Sequence, residues 1–180
     1  AYNKGISRAN GEIIGFLNSD DLFANNGVLS SIAFYFENKN IDITYGDLVY
    51  IRNDDSSSVV RHWVAGKFSS SVLRCGWMPP HPTFYARREL YKNFGEFDLS
   101  YKISADYDCM LRFLKIEEVK VFYIPEVLVK MRTGGASNNS PINIIKKLRE
   151  DYLILKKNEI GVVIALISKK LIKVTQYFVR

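Results

Sequence analysis

A short apolar run, Ile13-Ile14-Gly15-Phe16-Leu17, breaks off into Asn18-Ser19-Asp20-Asp21. A run this short and this uniformly apolar reads as a strand covered on both faces, and such strands belong to α/β sheets. In open α/β sheets ligands bind beyond the carboxyl ends of the strands. Asp20 and Asp21 therefore stand at a place where a ligand is expected. Mg2+ and Mn2+ commonly take one or two protein carboxylates and complete their shell with substrate phosphates, which suits this pair. A polar turn that caps the next helix is the plain alternative.

The flanking patterns alternate between helix and strand. Residues 2–10 read as the end of a helix stopped by Gly11, a residue that adopts the left-handed conformation at little cost. A helix is predicted over about 27–38, with Leu29, Ile32, Ala33 and Phe36 on one face and Asn25 or Asn26 as cap. Residues 41–51 and 59–64 form a hairpin around the polar loop 53–58. A short helix near 67–73 leads into Trp77-Met78-Pro79-Pro80-His81-Pro82, where the prolines exclude regular structure and make a rigid linker. After a brief strand at 83–85 come a helix over 87–93 stopped by Gly95 and a second helix capped by Ser104. Residues 119–124 and 127–132 read as two strands around Pro125. Ile142, Ile145, Leu148, Tyr152 and Leu155 lie at helical spacing, and Ile164, Ile167, Leu171, Val174 and Phe178 make a second stripe.

Composition removes several function classes. With 180 residues, 47% of them hydrophobic and 24% charged, the chain is one domain's worth of foldable sequence with a small appendage. Cys75 and Cys109 lack paired spacing, which argues against a disulfide scaffold or a zinc knuckle. The net charge of +6 suggests nucleic acid until it is divided: residues 1–140 are neutral, and the excess lies in the last forty. No nucleic-acid partner is expected from a charge confined to an amphipathic tail. Lys169, Lys170 and Lys173 beside the second stripe suit an interfacial helix on anionic lipid; a solvated face on a packed helix is the alternative. The apolar run 160–167 is far short of the ~20 residues that span a bilayer.

Asp106 and Asp108 fall in the first turn of the helix that follows Ser104, where carboxylates also suit the helix dipole. Two positions apart, they point in different directions, and Asp106 is the better candidate for a pocket because Tyr107, Met110 and Leu111 define the apolar side. His81 among its prolines can be a donor, an acid or base, or a rim residue. Arg132-Thr133-Gly134-Gly135-Ala136-Ser137 is a glycine turn beside a cation, suited to closing over a phosphate and equally common as a plain loop.

In order along the chain, Asn3-Lys4-Gly5-Ile6, Gly11 to Asp21, Tyr45-Gly46-Asp47, His81-Pro82-Thr83-Phe84, Ser104 to Asp108 and Gly134 to Ser137 resemble the middle and end of a bacterial family 2 glycosyltransferase. The resemblance covers residues 1 to about 140. It implies an α/β, Rossmann-like GT-A fold and an inverting transfer of sugar from a nucleotide-sugar donor, a UDP-sugar, to a glycan or polyprenyl-diphosphate-linked saccharide in envelope polysaccharide assembly. It also implies Mn2+ or Mg2+ on Asp21 and Asp20, with Asn18 and Arg132 on the donor side. Asp106 takes the place of the general base, although Ala105 stands where a glutamate often precedes it. His81, Asp47 and Trp77 line the pocket or the acceptor side.

The family opens with strands and helices for the base and ribose of the nucleotide, and the chain is expected to lack that amino-terminal part. The expected division is a catalytic portion over 1–140 and a basic amphipathic helical tail over 141–180, placing the protein in the cytoplasm at the inner face of the membrane. Two other readings compete: a non-catalytic binding or docking module that keeps the fold, and a nucleic-acid-binding protein suggested by the pI of 9.2.

Overall fold

The computed structural model describes residues 1–133, 141–162 and 165–166. The predicted second stripe, Lys169, Lys170, Lys173 and the Gly134 to Ser137 turn fall wholly or largely outside them. Within them the order is α1 (Tyr2–Arg8), β1 (Ile13–Gly15), β2 (Leu22–Phe23), α2 (Val28–Lys39), β3 (Ile43–Ile51), β4 (Val59–Trp63), α3 (Ser70–Leu73), one 3-10 turn (His81–Thr83), β5 (Tyr85–Arg87), α4 (Arg88–Phe94), α5 (Ala105–Leu114), β6 (Val121–Arg132) and α6 (Pro141–Lys157).

The sheet runs β1-β5-β3-β6-β2, with β4 added to β3 as the predicted hairpin. β3 and β6 are parallel along their length; β5 lies antiparallel to both β1 and β3. Side chains alternate across β3, so Ile43 and Tyr45 enter one apolar layer and Leu48 the other. The first layer holds Ile6 of α1, Leu90 and Tyr91 of α4, most of α5, and Ile154 and Leu155 of α6. The second holds Val28, Ile32 and Phe36 of α2 against Ile124, Leu128 and Tyr85. Helices thus cover both faces of a mixed sheet.

Several local expectations are corrected. Residues 119–132 do not make two strands: β6 runs through Pro125, and its register against β3 shifts between Gly46 and Leu48, which lets a residue without an N–H sit inside the ladder. α1 ends at Ala9 in extended geometry, and Gly11 is not left-handed. β1 stops at Gly15 and lies at the end of the strand order, so Leu17 is 40% exposed instead of covered. Leu29 and Ala33 do not join the buried stripe of α2; with Leu17 they line an open apolar cavity of about 330 Å³ beside β1. α2 takes no side-chain cap, although Asn25 Oδ1 accepts the Gly27 N–H at 2.8 Å just before it. The prolines do permit one regular turn, the 3-10 turn at His81. On α6 the buried positions are Asp151, Ile154 and Leu155, while Ile145 and Tyr152 of the predicted stripe are exposed. The phase differs because α6 turns an acidic dipeptide inward toward α5.

Candidate active site

The turn after β1 closes with the Asp21 N–H donating to the Asn18 carbonyl at 3.1 Å. Asn18 Nδ2 then donates to Asp21 Oδ2 at 2.8 Å. At the next residue β2 begins to pair with β6, Leu22 opposite Lys130, and this brings the Arg132 N–H to Asp21 Oδ1 at 3.3 Å. Asp21 is 5% exposed, whereas Asp20 is exposed. Burial raises the Asp21 carboxyl above its usual range against the pull of Asn18, with the Asp20 charge adding to the rise. Neither carboxylate is in an ion pair among the described residues.

That setting fits a divalent cation. A buried carboxylate held only by neutral donors is short of positive charge, and the oxygens of Asp20 and Asp21 are hard ligands. No three metal-ligating side chains converge among the described residues. A pair is enough where substrate phosphates supply the other ligands.

Tyr2 links this turn to the second carboxylate. Its hydroxyl donates to Asn18 Oδ1 at 2.8 Å, and its ring packs 4.8 Å from Phe16, 5.1 Å from Phe97 and 5.5 Å from His81. Burial, then the charge of Asp106 and then that of Asp21, raise the Tyr2 phenol above its ordinary value, so it feels both carboxylates. His81 follows the rigid prolines; burial lowers its imidazole below the usual 6.5 while the Asp106 charge pulls the other way. An unprotonated imidazole near neutral pH follows. Tyr2, Asn18, Asp21, His81 and Asp106 thus form one neighbourhood walled by Phe16 and Phe97.

The two aspartates of α5 differ sharply. Asp106 is half-buried, and its Oδ1 accepts the Tyr107 N–H at 2.8 Å. Asp108 is fully buried, receives Arg112 Nε at 2.8 Å and lies 3.6 Å from Lys157 Nζ. Its charge is already matched.

Asp47 and Trp77 come together elsewhere. Asp47 Oδ1 accepts the Ala65 N–H at 2.8 Å and the Tyr123 hydroxyl at 2.7 Å. Trp77 Nε1 donates to the Ala65 carbonyl at 2.8 Å, and the Tyr45 hydroxyl donates to Gly66 O at 2.8 Å. These contacts hold the segment after β4, and none is a hydrogen bond to Asp20, Asp21 or Asp106. The Arg132 guanidinium donates to the Asn53 carbonyl at 2.6 Å; only the backbone of Arg132 reaches Asp21.

Three participants carry no sequence signal. Tyr2 and Phe97 belong to no motif, and Glu150, which accepts the Lys102 N–H just before α5, stands beside Lys146, Lys147 and Arg149 on a helix without a site signature. Their partners are up to 94 positions away. Ser104 was expected to cap α5 with its side chain, but its hydroxyl donates to Asp151 Oδ1 at 2.7 Å.

Residues 1–104 match the family described as Glycosyl transferase family 2. The chain belongs to that family. It is 26% identical over 144 residues to a PGL/p-HBAD biosynthesis glycosyltransferase of Mycobacterium tuberculosis, covering 79% of this chain and 54% of that protein. It is 27% identical over 177 residues to an uncharacterized glycosyltransferase of Rickettsia typhi, covering 87% and 54%. The crystal structure of S. aureus TarS 1-349 superposes with a TM-score of 0.52 at 17% identity, over 85% of this chain and 43% of that one. The fold is the mixed α/β GT-A glycosyltransferase fold, and the family's role is glycosyl transfer. The chain spans about half the length of the curated relatives it matches. No helix among the described residues is long and apolar enough to cross a membrane.

Proposed function

We propose that the protein transfers a sugar, with inversion, from a nucleotide-sugar donor of the UDP class to a hydroxyl of a glycan or polyprenyl-diphosphate-linked saccharide in envelope polysaccharide assembly. The observation that carries this reading is that the Tyr2 phenol, bonded to Asn18, feels the charges of both Asp106 and Asp21, while Asp108 is withdrawn onto Arg112. Asp106 takes the proton of the acceptor hydroxyl as that oxygen attacks the anomeric carbon and the nucleoside diphosphate leaves. His81, unprotonated beside it, orients the acceptor hydroxyl by accepting or donating a hydrogen bond. Asn18 fixes the Asp21 carboxylate and orients the Tyr2 phenol. Phe16 and Phe97 exclude water from the neighbourhood and so strengthen its electrostatics.

Asp21, with Asp20, would hold Mn2+ or Mg2+, and such an ion supplies charge neutralisation for the departing diphosphate. Arg132 borders the donor side through its backbone, and Asp47 and Trp77 shape the pocket by holding Ala65. We place the protein at the cytoplasmic membrane face. The basic residues of 141–180 support that placement, with Lys169, Lys170 and Lys173 as the contact with anionic lipid.

The test is release of UDP from a panel of UDP-sugars with Mn2+ in the full-length protein. Metal-dependent turnover that Asp106→Asn removes, with donor binding retained, supports the reading. Donor binding without turnover in any acceptor mixture supports a binding module instead. Co-sedimentation with anionic and neutral vesicles tests the membrane placement; loss of residues 160–180 should release the protein from anionic vesicles.

A further inference from the structure

Three successive amides precede α5, and one carboxylate takes all of them. The Lys102 N–H donates to Glu150 Oε1 at 3.0 Å, and the Ile103 and Ser104 N–H groups donate to Glu150 Oε2 at 2.9 and 2.8 Å. The next residue of α6, Asp151, accepts the Ser104 hydroxyl at 2.7 Å and lies 3.8 Å from Lys147 Nζ. The amide of an N-cap and those just before it have no partner within the helix and need one from outside. Here it comes from nearly fifty residues further along the chain. Burial disfavours the Glu150 charge, yet the three N–H bonds outweigh it and hold the carboxyl below its usual range.

Asp106 is the second residue of α5, two positions after the last anchored residue, Ser104. Its backbone position is set by where 102–104 are held, since among the described residues its side-chain bond is local, from the Tyr107 N–H. The 3-10 turn that carries His81 also packs on α5. A shift in the start of α5 therefore changes the distance from Asp106 to His81 and to Tyr2. On the far side, Ile154 and Leu155 of α6 are fully buried in the same apolar layer as Tyr107 and Leu111, so the acidic pair is rigidly mounted. The family match ends at Ser104 itself, and α6 lies beyond it.

We infer that Glu150 and Asp151 are positioning residues for the transfer reaction, holding Lys102 to Ser104 so that Asp106 meets the acceptor hydroxyl at the right place. This rests on the proposal that Asp106 is the general base. Misplacement of a catalytic group by about 1 Å is enough to lower turnover by about 10²-fold. Donor affinity should stay, because Asp21 has its own bonds from Asn18 and the Arg132 N–H.

The experiment compares Glu150→Ala, Glu150→Gln and the milder Ser104→Ala in the full-length protein, with Asp106→Asn alongside. Amide exchange at 102–104 should accelerate in both Glu150 variants, since alanine accepts none of the three N–H groups and a carboxamide oxygen cannot accept all of them. With UDP-glucose or UDP-N-acetylglucosamine and Mn2+, kcat should fall about 10- to 100-fold while the donor KM stays within about twofold. The His81 imidazole, assigned with His81→Gln, should titrate at lower pH once the Asp106 charge moves away. This nuclear magnetic resonance readout needs no turnover. Should Glu150→Ala fail to fold, Ser104→Ala must show the same pattern in smaller degree. Unchanged exchange at 102–104 overturns the anchor. Faster exchange with unchanged kcat and an unchanged His81 overturns the positioning role while leaving Asp106→Asn to judge the base. Turnover that survives Asp106→Asn removes the base and the inference with it.

Discussion

Asp106 and Asp108 share one turn of α5, yet among the described residues only Asp108 has a cation, Arg112, within hydrogen-bonding distance at 2.8 Å. Substitution should separate them. Asp106→Asn is expected to change thermal stability by less than about 1 kcal/mol and to lower turnover about 10²- to 10⁴-fold. Asp108→Ala is expected to destabilise by about 2–3 kcal/mol, somewhat under the range for a fully buried pair, because Arg112 keeps some access to water. Calorimetry together with UDP release reads both. A destabilised Asp106→Asn with an inactive, stable Asp108→Ala would reverse the assignment.

Asp21 should trade stability for function. Its folded carboxyl titrates above its unfolded value of 3.8. The unfolded chain thus gives up this proton first: the contribution to stability is full below that value and is lost as pH rises through the folded value. Asp21→Asn removes the loss, so the variant should gain on the wild type as pH rises from about 4 to 7 in paired denaturant titrations. The same substitution, or EDTA, should end transfer. Activity that outlasts both would detach the metal from this turn.

Gly15 lies opposite Tyr85 in the β1–β5 pair, and a methyl group on it would sit 2.1 Å from the Tyr85 ring. Gly15→Ala is expected to cost about 1–3 kcal/mol by overpacking. Adding Tyr85→Leu should restore part of the loss, a coupling that a double-mutant cycle measures. Additive effects would mean that the ring already moves aside freely.

Asp47→Ala should act on stability. It leaves the Ala65 N–H and the Tyr123 hydroxyl without their acceptor, at about 1–3 kcal/mol for a buried group left unsatisfied. The Tyr123 phenol, pushed up to about 12 by burial and then by Asp47, should titrate lower in the variant. Ultraviolet difference titration against Tyr123→Phe checks this. A stable variant with an unmoved phenol would free Asp47 for a direct part in acceptor binding.

Local patterns revealed most of the helices and strands, though neither the two-residue β2 nor the continuity of β6, because apolar periodicity and the glycine at 95 act within one element. They also indicated that Asp106 and Asp108 face different ways, since that follows from helix geometry alone. What stayed hidden was tertiary. The bulge that keeps Pro125 inside β6 depends on β3, the phase of α6 depends on three amides near residue 103, and Tyr2 gains its role only when Asn18 and His81 fold against it. Pairings at such separations leave no spacing to count.

The irregular register around Pro125 has a consequence for how this chain tolerates change. β6 uses three more residues than β3 to cover the same length, with Val121 opposite Ile43 at one end and Arg132 opposite Ile51 at the other. Leu22 and Phe23 pair with the far end of β6, so the Arg132 amide reaches Asp21 only after that slack is taken up. A single-residue deletion anywhere from Pro125 to Leu128 would advance a different amide to Asp21 and turn the next side chains to opposite faces of the sheet. Loss of one codon in the middle of a strand would then be felt first at the carboxylate beside the donor, before the sheet itself failed.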